Sequence, residues 1–129
     1  MLRFNSDHKF KIMQIADTQE IPAVSPDTLS LINNALDREK PDLVIFTGDQ
    51  IKGYSKKFKK DPAIIESTID ILVKPIAKRN IPFMVTYGNH DAQCGVDNRG
   101  QYKFYAKYDN FISGYLRNAD DVGTADIQI

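Results

Sequence analysis

The sequence predicts an α/β fold in which a parallel sheet is built from alternating strands and helices. Three short apolar segments have the length of buried strands, and each ends abruptly at an Asp or a Gly. Two segments with a helical spacing of apolar residues lie between them. Both connections are long enough to be helical crossovers, so we expect a parallel βαβαβ arrangement with right-handed crossovers.

The first strand is predicted from Phe10 to Ala16, a mostly apolar segment that contains no Gly or Pro and ends at Asp17. This composition is typical of a buried strand. A helix follows, with Ser25 as its N-cap and Pro26 as its first residue, and Pro41 ends it. The apolar face of this helix is predicted to consist of Leu29, Ile32, Ala35 and Leu36.

The second strand, Leu43 to Thr47, is almost continuously apolar and ends at Gly48, which predicts burial on both of its faces. Asp61 and Pro62 open the second helix, and Pro75 inside it should bend it. The helical period is kept by Ile64, Ile65, Ile69, Leu72 and Ile76.

The third strand is predicted from Pro82 to Tyr87 and ends at Gly88. Residues 91 to 100 have the composition of a loop, and a helix is expected from Lys103 to Tyr115. The segment from Ala125 to Ile129 has the composition of a strand. The aromatic and apolar residues that should place this third helix in the core are Phe104, Tyr108, Phe111, Ile112 and Tyr115.

Composition limits the class of protein. The chain has 129 residues, of which 42% are hydrophobic, and 17 basic residues balance 17 acidic ones. A net charge of zero gives no broad attraction to nucleic acid or to an anionic membrane, so neither partner is predicted. The single cysteine, Cys94, fits a reducing compartment. No apolar segment approaches a secretory signal or a membrane span, and we expect a cytoplasmic protein.

Polar side chains follow all three predicted strands. The segments are Asp17-Thr18-Gln19, Gly48-Asp49-Gln50 and Gly88-Asn89-His90-Asp91. Neighbouring parallel strands lie about 4.8 Å apart, so these side chains should converge at one edge of the sheet. Carboxylate and amide oxygens suit divalent cations, and the arrangement predicts a metal site. Taken singly, Asp17 or Asp49 would more simply be a turn or capping residue.

The Gly-Asn-His-Asp segment adds chemistry to the predicted metal site. Asn89 can offer its carbonyl oxygen to a metal, and His90 can donate a proton or stabilise charge. Asp91 can orient the His90 imidazole. The simpler alternative for this segment is a polar loop.

Together these segments resemble the calcineurin-like metallophosphoesterases. That family's motifs run D-x-H, G-D, then G-N-H-D or G-N-H-E, a lone His, and G-H-x-H. The closest matches here are DLVIFTGDQ and IPFMVTYGNHD, and the resemblance is good over residues 9–91. It implies the N-terminal half of an α/β/β/α sandwich. Residues 1–129 would form a single incomplete domain, with its core at 9–91 and an irregular region with one helix at 92–129.

The resemblance also implies a hydrolase with a two-metal centre, a phosphatase or phosphoesterase using Mn, Fe or Zn. Asp17 would ligate the first metal, Asp49 would bridge both, and Asn89 would ligate the second. His90 would contact the phosphate of a phosphoester substrate, and Asp91 would position His90. These roles follow the two-metal pattern of phosphoryl-oxygen polarisation and water activation.

Two departures from the family pattern limit this prediction. Gln19 stands where the family usually has a metal-binding His, and its amide oxygen is a weak candidate ligand. No His follows His90, and the only other one, His8, precedes the first strand. We therefore expect weak or no hydrolysis by this chain. One alternative is a non-catalytic binding domain that keeps the fold. Another is an unrelated nucleotide-binding domain, but the sequence contains no glycine-rich phosphate-binding loop to support it.

A loop after the second strand carries five lysines interleaved with aromatic residues, and it is either a surface that attracts an anionic substrate or a solvated loop. Its residues are Lys52, Tyr54, Lys56, Lys57, Phe58, Lys59 and Lys60, and we do not assign Tyr54 as a metal ligand. The edge of the last strand is expected to be exposed, which favours a homo-oligomer.

Overall fold

The computed structural model describes residues 2–113, 115–116 and 122–129. Three parallel strands form its main sheet, in the order β1-β2-β3. Their bounds are Ile12–Ile15 for β1, Leu43–Thr47 for β2 and Phe83–Thr86 for β3. The predicted α/β class and parallel βαβαβ order are confirmed. All three strands therefore present their carboxyl ends at one edge.

Two helices connect these strands, α1 at Pro26–Glu39 and α2 at Pro62–Lys78. The predicted caps are present: Ser25 Oγ accepts the N–H of Asp27 at 3.2 Å, and Asp61 Oδ1 accepts the N–H of Ala63 at 2.9 Å. Each cap satisfies a backbone donor that the first helical turn leaves without a partner. None of the described helices has the length and apolar character needed to cross a membrane.

The hydrophobic core lies around β2, which is the central strand. Leu43, Val44 and Phe46 of β2 are fully buried, and the apolar face of α2 packs in the same cluster. The prediction that the first strand is buried was wrong, because Ile12 is 48% exposed and β1 alternates between exposed and half-buried residues. Within the described residues β1 has a strand on one side only, so an apolar sequence does not secure its burial.

The helix predicted from Lys103 to Tyr115 begins earlier and is shorter. The observed helix, α3, spans Asn98–Ala106 and is capped by Asp97, whose Oδ1 accepts the N–H of Gly100 at 2.7 Å. The predicted loop at 91–100 therefore contains the start of α3, and also a 3₁₀ turn at Asp91–Cys94. Asp97 is the capping signal that the aromatic spacing alone did not reveal.

The chain after α3 returns to the sheet. The Phe83 N–H donates to the Asn110 carbonyl at 3.0 Å, and the Ile112 N–H donates to the Phe83 carbonyl at 2.8 Å. Of the residues predicted for the core, Phe104, Tyr108 and Phe111 are half-buried and pack against it, the last from a bridge to β3. Tyr105, which the spacing did not predict, is the α3 side chain that is buried, at 2% exposure, and the side chain of Tyr115 lies outside the described part of the chain. Tyr115–Leu116 forms β4, which pairs antiparallel with β5 at Ala125–Asp126, so the strand expected near the C-terminus is present but short.

The free edge of the three-stranded sheet also differs from the prediction. We expected the outer edge of the last strand, β3, to be exposed. Instead, the bridge between Phe83 and Phe111 covers part of that edge. In the described part of the chain the uncovered edge belongs to β1.

Candidate metal centre

The loops that follow β1 and β2 remain paired beyond the strands through backbone hydrogen bonds. The Asp17 N–H donates to the Gly48 carbonyl at 3.0 Å, and the Gln19 N–H donates to the Asp49 carbonyl at 3.0 Å. The Glu20 N–H continues the series to the Gln50 carbonyl at 3.1 Å. Asp17, Gln19 and Asp49 therefore lie in neighbouring loops at the carboxyl edge of the sheet.

The backbone at these three positions is left-handed. The φ angles are 53° at Asp17, 43° at Gln19 and 52° at Asp49. Such angles are uncommon outside glycine and tend to collect at functional sites, where the surrounding structure offsets a cost of about 1–3 kcal/mol each. Asp is among the residues that tolerate this region, whereas Gln has no local compensation. Three of the eight non-glycine residues with positive φ in the described part of the chain therefore lie in these adjoining loops.

Two glycines allow the ends of β2 and β3 to approach each other. A Cβ at Gly88 would lie 2.2 Å from Asp49 Oδ1, and a Cβ at Gly48 would lie 2.4 Å from the Gly88 nitrogen. Gly48 also has a φ of 108°, which a side chain would make unfavourable. The absence of both side chains lets the Asp49 carboxylate lie against the loop that carries Asn89 and His90.

Asp91 is 1% exposed, and its carboxylate links the loop after β2 to the loop after β3. Oδ2 accepts the N–H groups of Gly88 and Asp49, both at 2.7 Å. Oδ1 accepts those of Gln50 at 3.0 Å and Ile51 at 3.5 Å. Burial raises the pKa of the Asp91 carboxyl, and the backbone hydrogen bonds oppose that rise. Asp91 thereby fixes the position of Asp49 relative to the glycine turn.

His90 immediately precedes Asp91 in the sequence but has different partners. Its backbone N–H donates to Asp49 Oδ1 at 2.8 Å, and its Nδ1 lies 2.9 Å from Gln93 Oε1. The Tyr54 ring meets the imidazole edge-on, with 4.9 Å between the ring centroids. The predicted orienting contact from Asp91 is made by Gln93 instead, and Asp91 acts on the backbone.

Sequence reasoning missed Gln93 and left Tyr54 without a role beside His90. Gln93 reaches the imidazole because residues 91–94 form a 3₁₀ turn, which places positions 90 and 93 on the same side. A loop composition gave no indication of that turn. Tyr54 arrives from the loop after β2, a contact that only tertiary structure creates.

The donor set suits a divalent cation but is only partial. Asp17 and Asn89 are exposed, and Asp49 is 8% exposed, with Oδ1 engaged by His90 and no donor reaching Oδ2 from the described residues. Two carboxylates and an amide oxygen are hard ligands. His8 precedes β1 and so belongs to the opposite end of that strand. Across the described ranges, no three His, Cys, Asp or Glu residues are grouped so as to hold a metal ion.

Comparison with known proteins places the chain among phosphoesterases. The sequence model for calcineurin-like phosphoesterase matches residues 10–128. The chain is similar to Probable inactive purple acid phosphatase 14 of Arabidopsis thaliana, with 27% identity covering 99% of this chain and 36% of that protein. It is also similar to Phosphatase DCR2 of Saccharomyces cerevisiae, with 36% identity covering 70% of this chain and 17% of that protein. The chain thus spans between 17% and 36% of the length of these two relatives.

A solved structure shares the fold. It superposes with a TM-score of 0.55 and 17% sequence identity, over 84% of this chain and 49% of that chain. The family match covers nearly the whole chain, from residue 10 to residue 128. The chain belongs to the calcineurin-like phosphoesterase family.

Proposed function

We propose that the chain is a metal-dependent phosphoesterase whose own residues supply only part of a two-metal centre. The observation that carries the proposal is that Asp17, Gln19 and Asp49 occupy left-handed positions in neighbouring loops at one edge of the sheet. Family membership supports a phosphate ester as the substrate and divalent cations as cofactors. Because the donor set is partial, hydrolysis by this chain should be weak or absent.

The proposed roles are those that the resemblance to calcineurin-like phosphoesterases implies for these positions. Asp17, with Gln19 as a weak ligand, would hold one cation, and Asn89 would hold the other. Asp49 would bridge the two through a carboxylate whose Oδ2 has no donor among the described residues. The cations, Mn, Fe or Zn, would supply polarisation of the phosphoryl oxygens when bound.

His90 would stabilise negative charge on the departing oxygen of the ester. Its backbone N–H is tied to Asp49 Oδ1 and its Nδ1 is beside Gln93, so the imidazole is positioned relative to the proposed ligands. Gln93 Oε1 can accept a hydrogen bond from Nδ1–H, and Nε2, when it carries a proton, would be the group that meets the departing oxygen. Asp91 holds this geometry by accepting backbone N–H groups from both loops, at Asp49 and at Gly88.

Metal binding and hydrolysis test the proposal together. Mn²⁺ binding, followed by the loss of the free-ion electron paramagnetic resonance signal, should be saturable and should be abolished by Asp49→Asn. Asp109→Asn removes an exposed carboxylate outside the proposed site and is the matched control. Any hydrolysis of p-nitrophenyl phosphate in millimolar Mn²⁺ should follow the same pattern. Equal Mn²⁺ binding by both variants, or turnover typical of a complete enzyme, would contradict the proposal.

A non-catalytic binding domain is the second candidate. It is favoured by Gln19 at the position where the family usually has His, and one similar protein carries the printed name Probable inactive purple acid phosphatase 14. In a binding domain, the loops at the carboxyl edge of the sheet would keep their conformation without binding metal. Mn²⁺ binding separates the two candidates, because only a phosphoesterase centre requires it.

A further inference from the structure

We propose that a lysine-lined pocket beside His90 binds a second phosphate group of the substrate, so that the preferred substrate is a small phosphoester carrying two or more phosphates. The basic pocket, as we call it, has a volume of about 270 Å³ and is lined by Tyr54, Lys56, Lys59, Lys60 and Gln93, among others. This inference rests on the proposed phosphoesterase function and specifies the substrate class of that site.

Among the described residues, no acidic side chain forms an ion pair with the lysines that line the basic pocket. Lys56, Lys59 and Lys60 line it, and the same loop also carries Lys52 and Lys57. None of these five lysines forms an ion pair with any described residue. Asp61, the next acid along the chain, is engaged in capping α2. A concave surface lined by one sign of charge attracts and concentrates anions of the opposite sign.

The basic pocket adjoins the proposed reaction site through two shared residues. Tyr54 lines the pocket and also contacts the His90 ring at 4.9 Å, and Gln93 lines it while lying 2.9 Å from His90 Nδ1. The backbones also meet closely, since a Cβ at Gly53 would lie 1.9 Å from the His90 carbonyl oxygen. A substrate whose reacting phosphate meets His90 therefore has the pocket directly beside that phosphate.

The backbone of the loop that carries the lysines is anchored to the rest of the fold. Ser55 Oγ accepts the N–H of Lys57 at the start of a 3₁₀ turn at Lys56–Phe58, and Phe58 is 1% exposed. Lys59 and Lys60 both have a φ of 54°. The Lys60 stem packs against Gly95, where a Cβ would lie 3.0 Å from Lys60 Cγ. Order of this kind reduces the entropy that a ligand must remove.

The chemistry of the basic pocket suits a phosphate group. A volume of about 270 Å³ is at the lower end of the range of small-molecule pockets, about 300–1,000 Å³, and leaves room for a phosphate group. Lysine binds phosphate as a mobile point charge, without the planar geometry that arginine imposes. Substrates with a single phosphate would leave these charges unused, whereas a second phosphate would engage them.

Binding of inorganic tripolyphosphate to the full, metal-free chain tests this inference by calorimetry. The triple variant Lys56→Gln, Lys59→Gln, Lys60→Gln should bind about tenfold more weakly than the natural chain. The matched control is Lys74→Gln, Lys78→Gln, Lys103→Gln, which removes the same charge from exposed positions of α2 and α3 and should change affinity less than twofold. Equal weakening in both variants, or no saturable binding by the natural chain, would overturn the inference.

Failure of this inference can be told apart from failure of the proposed function. Asp49→Asn should lose Mn²⁺ binding and keep its tripolyphosphate affinity in the absence of metal. If Asp49→Asn lost tripolyphosphate binding instead, the anion would be binding at the metal site and the basic pocket would be excluded. If the triple variant does not fold, as judged by circular dichroism, Lys56→Gln alone should still weaken binding, and an unchanged affinity would contradict the inference.

Discussion

At the scale of single residues, Asp91 shows how a buried charge can serve the architecture of a site. Its carboxylate accepts N–H groups from Gly88, Asp49 and Gln50 at 2.7–3.0 Å, so its oxygens are satisfied although the residue is 1% exposed. Burial without such partners would cost several kcal/mol. The resemblance predicted that Asp91 would position His90, and the structure indicates that it acts through the backbone of two loops.

Asp91→Asn should destabilise the chain by about 2–3 kcal/mol, because an amide NH₂ would face backbone N–H groups that need an acceptor. Asp97→Asn is the control, since Asn caps a helix nearly as well as Asp at that exposed position. Urea unfolding followed by circular dichroism measures both variants. Similar midpoints for the two would argue against the linking role of Asp91.

Gln19 is the residue at which the chain departs most clearly from its family. Its φ of 43° places it in a region where His is enriched, so Gln19→His should be accepted by the backbone. Imidazole is a stronger ligand than an amide oxygen for transition metals. We expect Gln19→His to raise Mn²⁺ or Zn²⁺ affinity about tenfold and to increase metal-dependent hydrolysis of p-nitrophenyl phosphate. Gln14→His, on β1 and outside the site, should do neither.

At the scale of elements, the candidate site lies where the ends of β2 and β3 approach so closely that neither Gly48 nor Gly88 has room for a side chain. Gly48 and Gly88 create this approach, and Asp49 occupies the space beside Gly88. The strand-end glycines therefore do more than end their strands. They set how closely the two loops that carry Asp49 and His90 can lie.

Gly88→Ala should separate these loops, because the new Cβ would lie 2.2 Å from Asp49 Oδ1 and 2.8 Å from the Asp49 nitrogen. We expect loss of stability of about 2 kcal/mol or more together with loss of Mn²⁺ binding. Gly100→Ala is a steric control outside the site: its Cβ would lie 2.6 Å from Val96 Cγ1 and 3.1 Å from Asp97 Oδ1, so it can lower stability but should leave Mn²⁺ affinity unchanged. Unchanged Mn²⁺ affinity in Gly88→Ala would show that the approach of the loops is not needed for binding.

At the scale of the whole molecule, the core joins the sheet to the C-terminal region through aromatic residues. Tyr105 packs against Phe46 and Tyr87, at 6.3 and 6.4 Å between ring centroids. Burial raises the pKa values of both Tyr105 and Tyr87. A phenol whose pKa is higher in the folded state contributes stability below its unfolded pKa, about 10, and loses it as the pH rises further.

The chain should therefore lose stability as the pH rises above about 10, and the loss of secondary structure should coincide with ionisation of the buried tyrosines. Circular dichroism and absorbance at 295 nm follow the two events on the same sample. Tyr105→Phe should reduce the alkaline loss of stability, whereas Tyr54→Phe, at a 51% exposed position, should not. Ionisation of all tyrosines with the secondary structure retained would contradict this expectation.

The uncovered edge of β1 bears on assembly at the same scale. An unpaired strand edge can pair with a second copy of the chain. The homo-oligomer predicted from an exposed edge stays a prediction, and the structure moves the relevant edge from the last strand to β1.

A cytoplasmic location likewise stays a prediction.

Much of the fold could be predicted because it is encoded locally. The apolar segments of β1, β2 and β3, the caps Ser25 and Asp61, and the polar strand ends are features of neighbouring residues. The start of α3 was missed, since aromatic spacing continues past its end into a segment that bridges β3. Burial of β1 was mispredicted because exposure depends on what lies on both sides of a strand.

The sequence by itself determined the parallel βαβαβ order and the set of residues at the carboxyl edge, because apolar periodicity, caps and strand-ending residues act over short distances. Only the tertiary structure decided what those residues contact. Asp91 meets backbone N–H groups more than 40 positions away, and Gln93 and Tyr54 meet His90 through a 3₁₀ turn and a separate loop. Such contacts depend on how loops approach one another in space, which the local pattern of residues does not specify.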